Sequence, residues 1–576
     1  MVNNRRSEQI SRWVAATFLL VVVVVAMCSA LSHKPAPSPA AGQGVPDANC
    51  VGVAVVSSQE KADLLAKLAA EYDQTKPTQD GKCVDVRVNS MASGKAEQAL
   101  ARDWASVKDG PAPTVWSPAA SSWLGILSAE RASQDLSIVL RKDNPSLMQS
   151  PLVLAMPRPM AEALGWPNTP VGWADVLKLA QDPRGWGRYG HPEWGLFQLG
   201  KTSPAVSTSG LHALLATYYA ATGLSADLTA ADLENPKVIA FVKAVEASVL
   251  HYGNTVSTFF DGLRAADAKG AALSYVSAIA TEEKQVLDYN AAKPATQLVA
   301  VYPKDGTMVA DHPFAILDAS WVKVDQQAAA ATFLNWLLAP DQQKRFLTAG
   351  FRDHSGNAAA TLGQENGIIK AGPPVVLKPP APAVLALVRK SWALVRKHAR
   401  ILIVIDVSGS MQGSKLDAVK AAGAAALEAF SPEDQVGLWT FSDGVNKLDP
   451  IEPLASNHDK LASDIKALRA GGGTALYKAT EAAVADVQAG WDTSHINAVL
   501  LLTDGQNSGV DSDAALVRSL AAQPARTFVP VFTIAYGSDA DLPTLKRISA
   551  ASHGLFYNAP DASQISAVFI DVISNF

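Results

Sequence analysis

Five oxygen-bearing side chains in the C-terminal third of the chain have the types and spacing of a metal site. Two are acids that end continuous apolar runs, two are serines that follow the first acid, and one is a threonine that closes a glycine-rich stretch. The set is Asp406, Ser408, Ser410, Thr474 and Asp504. A continuous apolar run indicates a buried parallel strand, and open α/β sheets bind ligands at the carboxyl ends of such strands. We therefore expect the five side chains to converge at one edge of a sheet.

The chemistry of this set favours binding over catalysis. Hard oxygen ligands without cysteine or histidine suit Mg²⁺, Mn²⁺ or Ca²⁺ and disfavour zinc or copper. Two carboxylates and three hydroxyls leave a divalent ion with an open position, which a partner's carboxylate can fill. Nothing nearby in the sequence resembles a general base for Ser408 or Ser410. A hydrolase is the less favoured alternative, and so is a turn or helix cap without a metal.

Residues 399–576 resemble the von Willebrand factor type A domain. The motifs DVSGSM, GGGT and LLTDG match its metal-ion-dependent adhesion site at each expected position. The resemblance implies a doubly wound sheet with flanking helices and a divalent cation bound by the five side chains, usually through water in the case of Asp504. It also implies an acidic protein partner that completes the coordination.

Serines in small-residue loops form a second group of candidate ligands, in residues 47–370. Each lies just before a helical segment, where free N–H groups and the positive end of the helix dipole favour a small polar or anionic solute. The candidates are Ser57, Ser58, Ser90, Ser93, Ser207, Thr208 and Ser209. We expect Lys95 and Lys201 to add positive charge. Ordinary helix capping is the alternative for each serine.

Strands and helices alternate through the same region, which indicates a parallel sheet. The region resembles extracellular solute-binding proteins of transport systems through VGVAVVSSQEKADLLAKLAAEY, GKTSPAVSTSGLHALLATYYAATG and ATFLNWLLAPDQQKRFLTAGFR. The resemblance implies two α/β lobes around a cleft, with hinge crossings near residues 151–155 and 298–302. The expected fold class is therefore α/β, a bilobed periplasmic-binding-protein-like domain followed by a doubly wound, Rossmann-like von Willebrand factor A domain.

The N-terminus predicts attachment to a membrane. Three arginines precede residues 13–32, which carry no charged side chain. About 20 apolar residues are enough to cross a bilayer as a helix. The arginines should remain in the cytoplasm, so we expect a cytoplasmic tail at residues 1–12, a single-pass cell-membrane anchor at 13–32 and the bulk of the chain outside. A cleaved signal segment is the alternative.

Two proline-rich stretches are expected to act as linkers. Residues 33–46 lead into the solute-binding-protein-like region at 47–370, and residues 371–398 combine a linker with a connecting helix. Packing against a neighbouring domain is the favoured role of that helix. A chain of 576 residues is too long for a single hydrophobic core.

Cysteine usage indicates the cellular compartment of the chain, and its net charge limits the classes of partner that it can bind. Cys50 and Cys83 each precede an apolar, β-rich run, and an exported chain allows them to form a disulfide; two free thiols are the alternative. With 49 Lys and Arg against 54 Asp and Glu, the formal charge is −5, which argues against nucleic acid as a partner. The favoured function is an extracytoplasmic surface protein that docks an acidic partner at its metal site and holds a solute in its cleft. A solute receptor of a transport system is the alternative.

Overall fold

The computed structural model describes residues 42–137, 139–508, 513–524 and 527–576. The predicted tail at 1–12 and the predicted anchor at 13–32 lie outside these residues. Every helix within the described ranges is too short or too polar to span a bilayer. Three mixed or parallel sheets with flanking helices form the structure, so the chain has the α/β fold that the sequence predicts.

The first lobe is built on a five-stranded sheet in the order β11-β4-β1-β3-β2, whose central strand β1 is almost wholly buried. Its strands are β1 (Val51–Ser57), β2 (Thr78–Gln79), β3 (Lys82–Ser90), β4 (Val115–Ser117) and β11 (Ala315–Ile316). Its helices are α1 (Gln59–Gln74), α2 (Ser93–Ala101), α3 (Ser106–Asp109), α4 (Ser122–Ser133), α13 (Val324–Leu337) and α14 (Pro340–Thr348). Because β1 and β3 run parallel with Val51 opposite Val84, the preceding Cys50 and Cys83 are adjacent. They form a disulfide, as predicted.

The second lobe has a six-stranded sheet in the order β10-β5-β8-β6-β7, with β9 also paired to β5. Its strands are β5 (Ser150–Pro157), β6 (Leu199–Thr202), β7 (Val249–Gly253), β8 (Ala278–Glu282), β9 (Leu298–Val301) and β10 (Val309–Ala310). Its helices are α5 (Arg158–Ala163), α6 (Trp173–Gln181), α7 (Thr208–Thr222), α8 (Ala230–Glu234), α9 (Pro236–Glu246), α10 (Val256–Asp267), α11 (Ala272–Tyr275) and α12 (Glu283–Ala291).

The chain crosses between the lobes at positions that differ in part from the prediction. The outward crossing lies immediately before β5, next to the predicted one. The return crossing lies at residues 311–314, between β10 and β11, and the prediction at 298–302 is wrong because that segment is strand β9 within the second lobe. A third crossing follows α14, where Arg352 pairs with Gln149. The sequence pattern shows a strand at 298–301 but not the sheet to which it belongs.

The C-terminal domain is a six-stranded sheet in the order β14-β13-β12-β15-β16-β17, in which only β14 is antiparallel to its neighbour. Its strands are β12 (His398–Asp406), β13 (Gln435–Phe441), β14 (Val445–Pro453), β15 (His495–Thr503), β16 (Val531–Tyr536) and β17 (Phe556–Ala559). Its helices are α16 (Ser414–Leu427), α17 (Leu454–Ala467), α18 (Leu476–Ala489), α19 (Asp513–Ala521), α20 (Leu542–Ala551) and α21 (Ile565–Ile573). The apolar runs of β12 and β15 lie side by side at its centre, as their composition predicts.

One helix, α15 (Pro382–Val395), connects the bilobed domain to the C-terminal domain and contacts both lobes. Its Arg389 donates to Glu97 of the first lobe at 2.6 Å and also pairs with Glu130 there. On the second lobe, Ser391 and Tyr218 share a hydrogen bond of 2.8 Å between their hydroxyl groups. Helix α15 therefore crosses both lobes as a strap, and Arg389 holds it against the first lobe. Packing against a neighbouring domain is the role that the sequence predicts for this helix.

Candidate metal centre and solute cleft

The predicted metal ligands converge at the carboxyl edge of the C-terminal sheet. Asp406 ends β12, and the loop after it turns back so that the Ser408 N–H donates to Asp406 Oδ1 at 2.8 Å. The hydroxyl oxygens of Ser408 and Ser410 lie 3.0 Å apart, and Ser410 donates to Asp504 Oδ1 at 2.6 Å. Asp504 follows β15, the strand next to β12, which explains how residues almost 100 positions apart meet.

Thr474 approaches the same point from the glycine-rich loop. The Gly409 N–H donates to the Gly472 carbonyl at 3.0 Å, which joins this loop to the serine loop. A methyl group added to Gly505 would lie 3.4 Å from Thr474 Oγ1 and 3.8 Å from Ser410 Oγ, so the three loops meet closely. Gly472 has a positive φ of 90°, which favours glycine at this position of the turn.

Four of the five side chains are buried and Ser410 is exposed, so the site opens to solvent on one side. Burial raises the pKa of Asp406, while hydrogen bonds from Thr503 and Ser408 oppose that shift. Lys415 of α16 donates to Asp504 Oδ2 at 2.6 Å. The donor set fits a hard divalent cation, because two buried carboxylates and three hydroxyls face one point. Lys415 neutralises only one of the two carboxylates, that of Asp504.

The second site is a cavity of about 320 Å³ between the two lobes. Five of the seven predicted solute ligands line it, namely Ser58, Ser93, Ser207, Thr208 and Ser209. Ser57 and Ser90 do not line it, which corrects the prediction: Ser57 is buried and donates to the Ser58 carbonyl, and Ser90 is exposed at the end of β3. The period-two geometry of a strand points neighbouring side chains to opposite faces, and a list of adjacent serines cannot distinguish them.

Helix N-termini surround this cavity. Those of α1, α2 and α7 bring Ser58, Ser93 and Thr208 to its wall. No side chain in the described part of the chain caps any of these three ends, although ordinary capping was the alternative for the serines. The Gly94 N–H of α2 donates to the Val206 carbonyl, and the other N–H groups in the first turns of these helices remain available to a ligand or to water.

The two lysines expected to supply positive charge are used elsewhere. Lys201 is buried in an ion pair with Glu246, and Lys95 pairs with Asp571 of the C-terminal domain at 3.3 Å. Neither lysine lines the cavity. The sequence did not show that the ammonium group of each lysine would form an ion pair with a carboxylate from another element.

Carboxylates that sequence reasoning missed line the cavity instead. Glu60 and Glu282 face it from opposite lobes, and Asp288 stands at its edge. Behind them, the buried ring of His312 lies with Nδ1 3.4 Å from Glu60 Oε1 and Nε2 3.3 Å from Glu282 Oε2. Burial raises the pKa of Glu282, whereas for Glu60 the nearby Lys61 and His312 overcome burial and hold the pKa well below its usual range.

One signal for Glu282 was present in the sequence. It ends the apolar strand β8 and precedes α12, which is the same strand-then-acid pattern that identified Asp406 and Asp504. His312 had no such signal, because it lies in the crossing between two strands of only two residues each.

Family comparisons agree with this division of the chain. Residues 53–352, more than half of the chain, match the bacterial extracellular solute-binding protein family. Residues 401–506 match the von Willebrand factor type A domain.

Similar proteins include one that spans both regions. An uncharacterized protein of Mycobacterium tuberculosis is 25% identical over 561 residues, which cover 91% of this chain and 78% of that protein. Inter alpha-trypsin inhibitor, heavy chain 4, of Mus musculus is 26% identical over 162 residues, which cover 27% of this chain and 17% of that protein.

Solved structures match each region separately. A periplasmic thiamin binding protein has a TM-score of 0.42 at 12% identity and covers 61% of this chain and 96% of its own. A von Willebrand factor type A protein from Catenulispora acidiphila has a TM-score of 0.28 at 20% identity and covers 31% of this chain and 43% of its own.

Proposed function

Because the chain belongs to the bacterial extracellular solute-binding protein family and continues into a von Willebrand factor type A domain, we propose that it is a membrane-anchored surface protein that docks an acidic protein partner. A divalent cation, Mg²⁺ or alternatively Mn²⁺ or Ca²⁺, is held by Asp406, Ser408, Ser410, Thr474 and Asp504. The partner's carboxylate completes its coordination.

The convergence of these five oxygens at an opening of the sheet is the observation that carries the proposal. Two carboxylates balance the charge of a divalent ion, the ammonium group of Lys415 beside Asp504 makes the site net positive, and the open side faces solvent near Ser410. Such an ion attracts an anionic side chain. The described residues around it include no histidine or cysteine that would serve as a base or nucleophile, which supports binding rather than catalysis.

The cleft of the bilobed domain is proposed to hold a small solute outside the cytoplasm. The solute-binding family is extracellular, and the disulfide of the first lobe agrees with an oxidising compartment. The predicted segment at residues 13–32 would anchor the protein in the cell membrane.

A solute receptor of a transport system is the second candidate, and the family relationship favours it. A transport receptor of this kind has to open and close its lobes around the solute. In this chain α15 contacts both lobes, and Arg389 of that helix is fixed to the first lobe by two carboxylates. With Arg389 holding α15 on the first lobe, opening would break the contacts of α15 with the second lobe, such as the hydrogen bond between Ser391 and Tyr218, so the docking role is favoured over solute delivery.

Calorimetric titration of the full-length protein with MgCl₂ tests the metal site. We expect one ion per chain, and Asp406→Ala should weaken binding by at least about 100-fold, since even outer partners of metal ligands are worth 10–100-fold. Asp459→Ala, which removes a fully exposed acid of the same domain, is the control and should bind normally. Equal affinity of Asp406→Ala and the wild type would refute the metal site.

Docking is tested with immobilised polyglutamate as the acidic probe. Retention of the wild-type protein should require MgCl₂ and be reversed by EDTA, and Asp406→Ala should not be retained. Retention that persists in EDTA would show that the acidic ligand does not bind through the metal.

A further inference from the structure

The inter-lobe cavity presents two opposite kinds of polar group to a ligand. One kind is the set of uncapped helix N-termini, which offers N–H donors and positive partial charge. The other kind is the set of carboxylates, Glu60, Glu282 and Asp288. The lining of the cavity in the described residues contains no lysine, arginine or histidine.

The N-terminal side is contributed by both lobes. Helices α1 and α2 belong to the first lobe and α7 to the second, and each is nine residues or longer. A backbone hydrogen bond of 2.9 Å from Gly94 to Val206 holds the ends of α2 and α7 together across the cleft. The donors therefore form one patch, which fits a carboxylate.

The acidic side has a buried carboxylate whose hydrogen bonding within the protein is incomplete. Glu282 is only 5% exposed, and its Oε2 accepts no hydrogen bond from the described residues. His312 Nε2 lies 3.3 Å from this oxygen as its ion-pair partner, without forming a hydrogen bond of good geometry, and Glu282 lines the cavity whereas His312 does not. A buried carboxylate oxygen without a hydrogen-bond donor is costly, and an ammonium group of a solute would supply the donor.

A ligand that carries charge of only one sign can complement either the helix N-termini or the carboxylates of the cavity, but not both. A dianion would meet the carboxylate oxygens, and a dication would meet the positive ends of the helices. The basic groups Lys61 and His312 lie behind Glu60 and Glu282, farther from the ligand than the oxygens that line the cavity. Glu60, Glu282 and His312 are close enough together to hold a metal ion, but a cation there is opposed by the ammonium group of Lys61, whose Nζ lies 3.4 Å from His312 Nδ1.

We propose that the cavity binds a zwitterionic solute of the amino-acid class, with its carboxylate on the N-termini of α1, α2 and α7 and its ammonium group on Glu282. This inference defines the solute of the proposed function and is independent of the metal site. Glu60, paired with Lys61, adds negative charge beside the ammonium position. Asp288, paired with Lys284 at 2.5 Å, lies at the rim.

The test is calorimetric titration of the full-length protein in EDTA with the protein amino acids and γ-aminobutyrate. Each amino acid that binds is compared with two analogues of the same skeleton, one without the ammonium group and one without the carboxylate. For γ-aminobutyrate the matched four-carbon controls are succinate and 1,4-diaminobutane. We expect at least one zwitterion to bind at least ten times more tightly than both of its analogues. Failure of every amino acid to bind, or equal binding of an anionic analogue, would overturn the proposal.

Two variants locate the ammonium group. Glu282→Gln keeps the shape and should weaken the zwitterion at least tenfold while leaving the analogue without an ammonium group unchanged or tighter. Gln285→Glu adds a carboxylate to the same wall at a partly exposed position and should tighten binding of the zwitterion. An unchanged zwitterion affinity in both variants would contradict the assignment. Repeating the titration with Asp406→Ala should give wild-type solute binding, so a failed metal site and a failed solute site are distinguishable.

Discussion

The metal centre and the solute cleft are assembled in similar ways but differ in how far apart their residues lie. Both sites form where strands end and helices begin. The metal centre draws its five side chains from residues 406–504, on two adjacent strands and one loop of a single sheet. The cleft draws its polar groups from residues 58–288, on two sheets whose relative position depends on three chain crossings.

This difference explains why the sequence indicated that the five metal-centre side chains would meet but did not indicate which residues line the cleft. A motif such as DVSGSM fixes the ligand, the turn and the strand end together, so a short segment carries the geometry. In the cleft, by contrast, the type of residue at a position does not determine whether its side chain points into the space between the lobes. Stability changes confined to the bilobed domain should therefore alter the cleft and leave the metal centre intact, and the reverse should hold for changes in the metal centre.

The largest expected effect comes from Arg389→Met, which removes the ion pairs that hold α15 against the first lobe. Glu97 has a fully buried side chain, and without its guanidinium partner the free energy of unfolding should fall by about 3–5 kcal/mol. Denaturant unfolding measures the loss, and Lys390→Met, at the exposed neighbouring position, should change little. Magnesium affinity should remain unchanged in both variants. A large loss of magnesium affinity in Arg389→Met would mean that the two sites are not independent.

The disulfide offers a test confined to the first lobe. Replacing Cys50 and Cys83 together by serine releases a loop of 33 residues, and chain entropy predicts a loss of about 3–4 kcal/mol in unfolding free energy. Thermal unfolding with and without amino-acid solutes should show a less stable bilobed domain. If the double variant unfolds at the wild-type temperature, the crosslink does not contribute to stability.

A smaller effect is expected at the metal centre. Lys415→Met removes the ammonium group 2.6 Å from Asp504, so the negative potential at the site rises and the affinity for Mg²⁺ should increase about tenfold, which corresponds to about 1.4 kcal/mol. Titration with MgCl₂ measures it. Lys420→Met, on the same helix, is the control. A decrease in affinity would show that Lys415 is needed to orient Asp504.

Sequence reasoning predicted the elements better than their assembly. The strand ending in Asp406 and a connecting helix within residues 371–398 follow from local apolar runs, and a disulfide between Cys50 and Cys83 was favoured over two free thiols; all three are present. The hinge at 298–302 failed because strand composition does not specify the sheet. Lys95 and Lys201 failed as cleft residues because their carboxylate partners, Asp571 and Glu246, lie 476 and 45 positions away.

The C-terminal domain is also joined to the second lobe through the edge strand β7. The Tyr252 N–H donates to the Asn575 carbonyl at 2.7 Å, and the Tyr252 hydroxyl accepts from the Lys397 N–H at 3.0 Å. The two ends of the domain, where the chain enters and where it terminates, are thus fastened to one tyrosine. Under the proposed docking function, force on the C-terminal domain would reach the second lobe through these two hydrogen bonds at once, so both ends of the domain would carry it together.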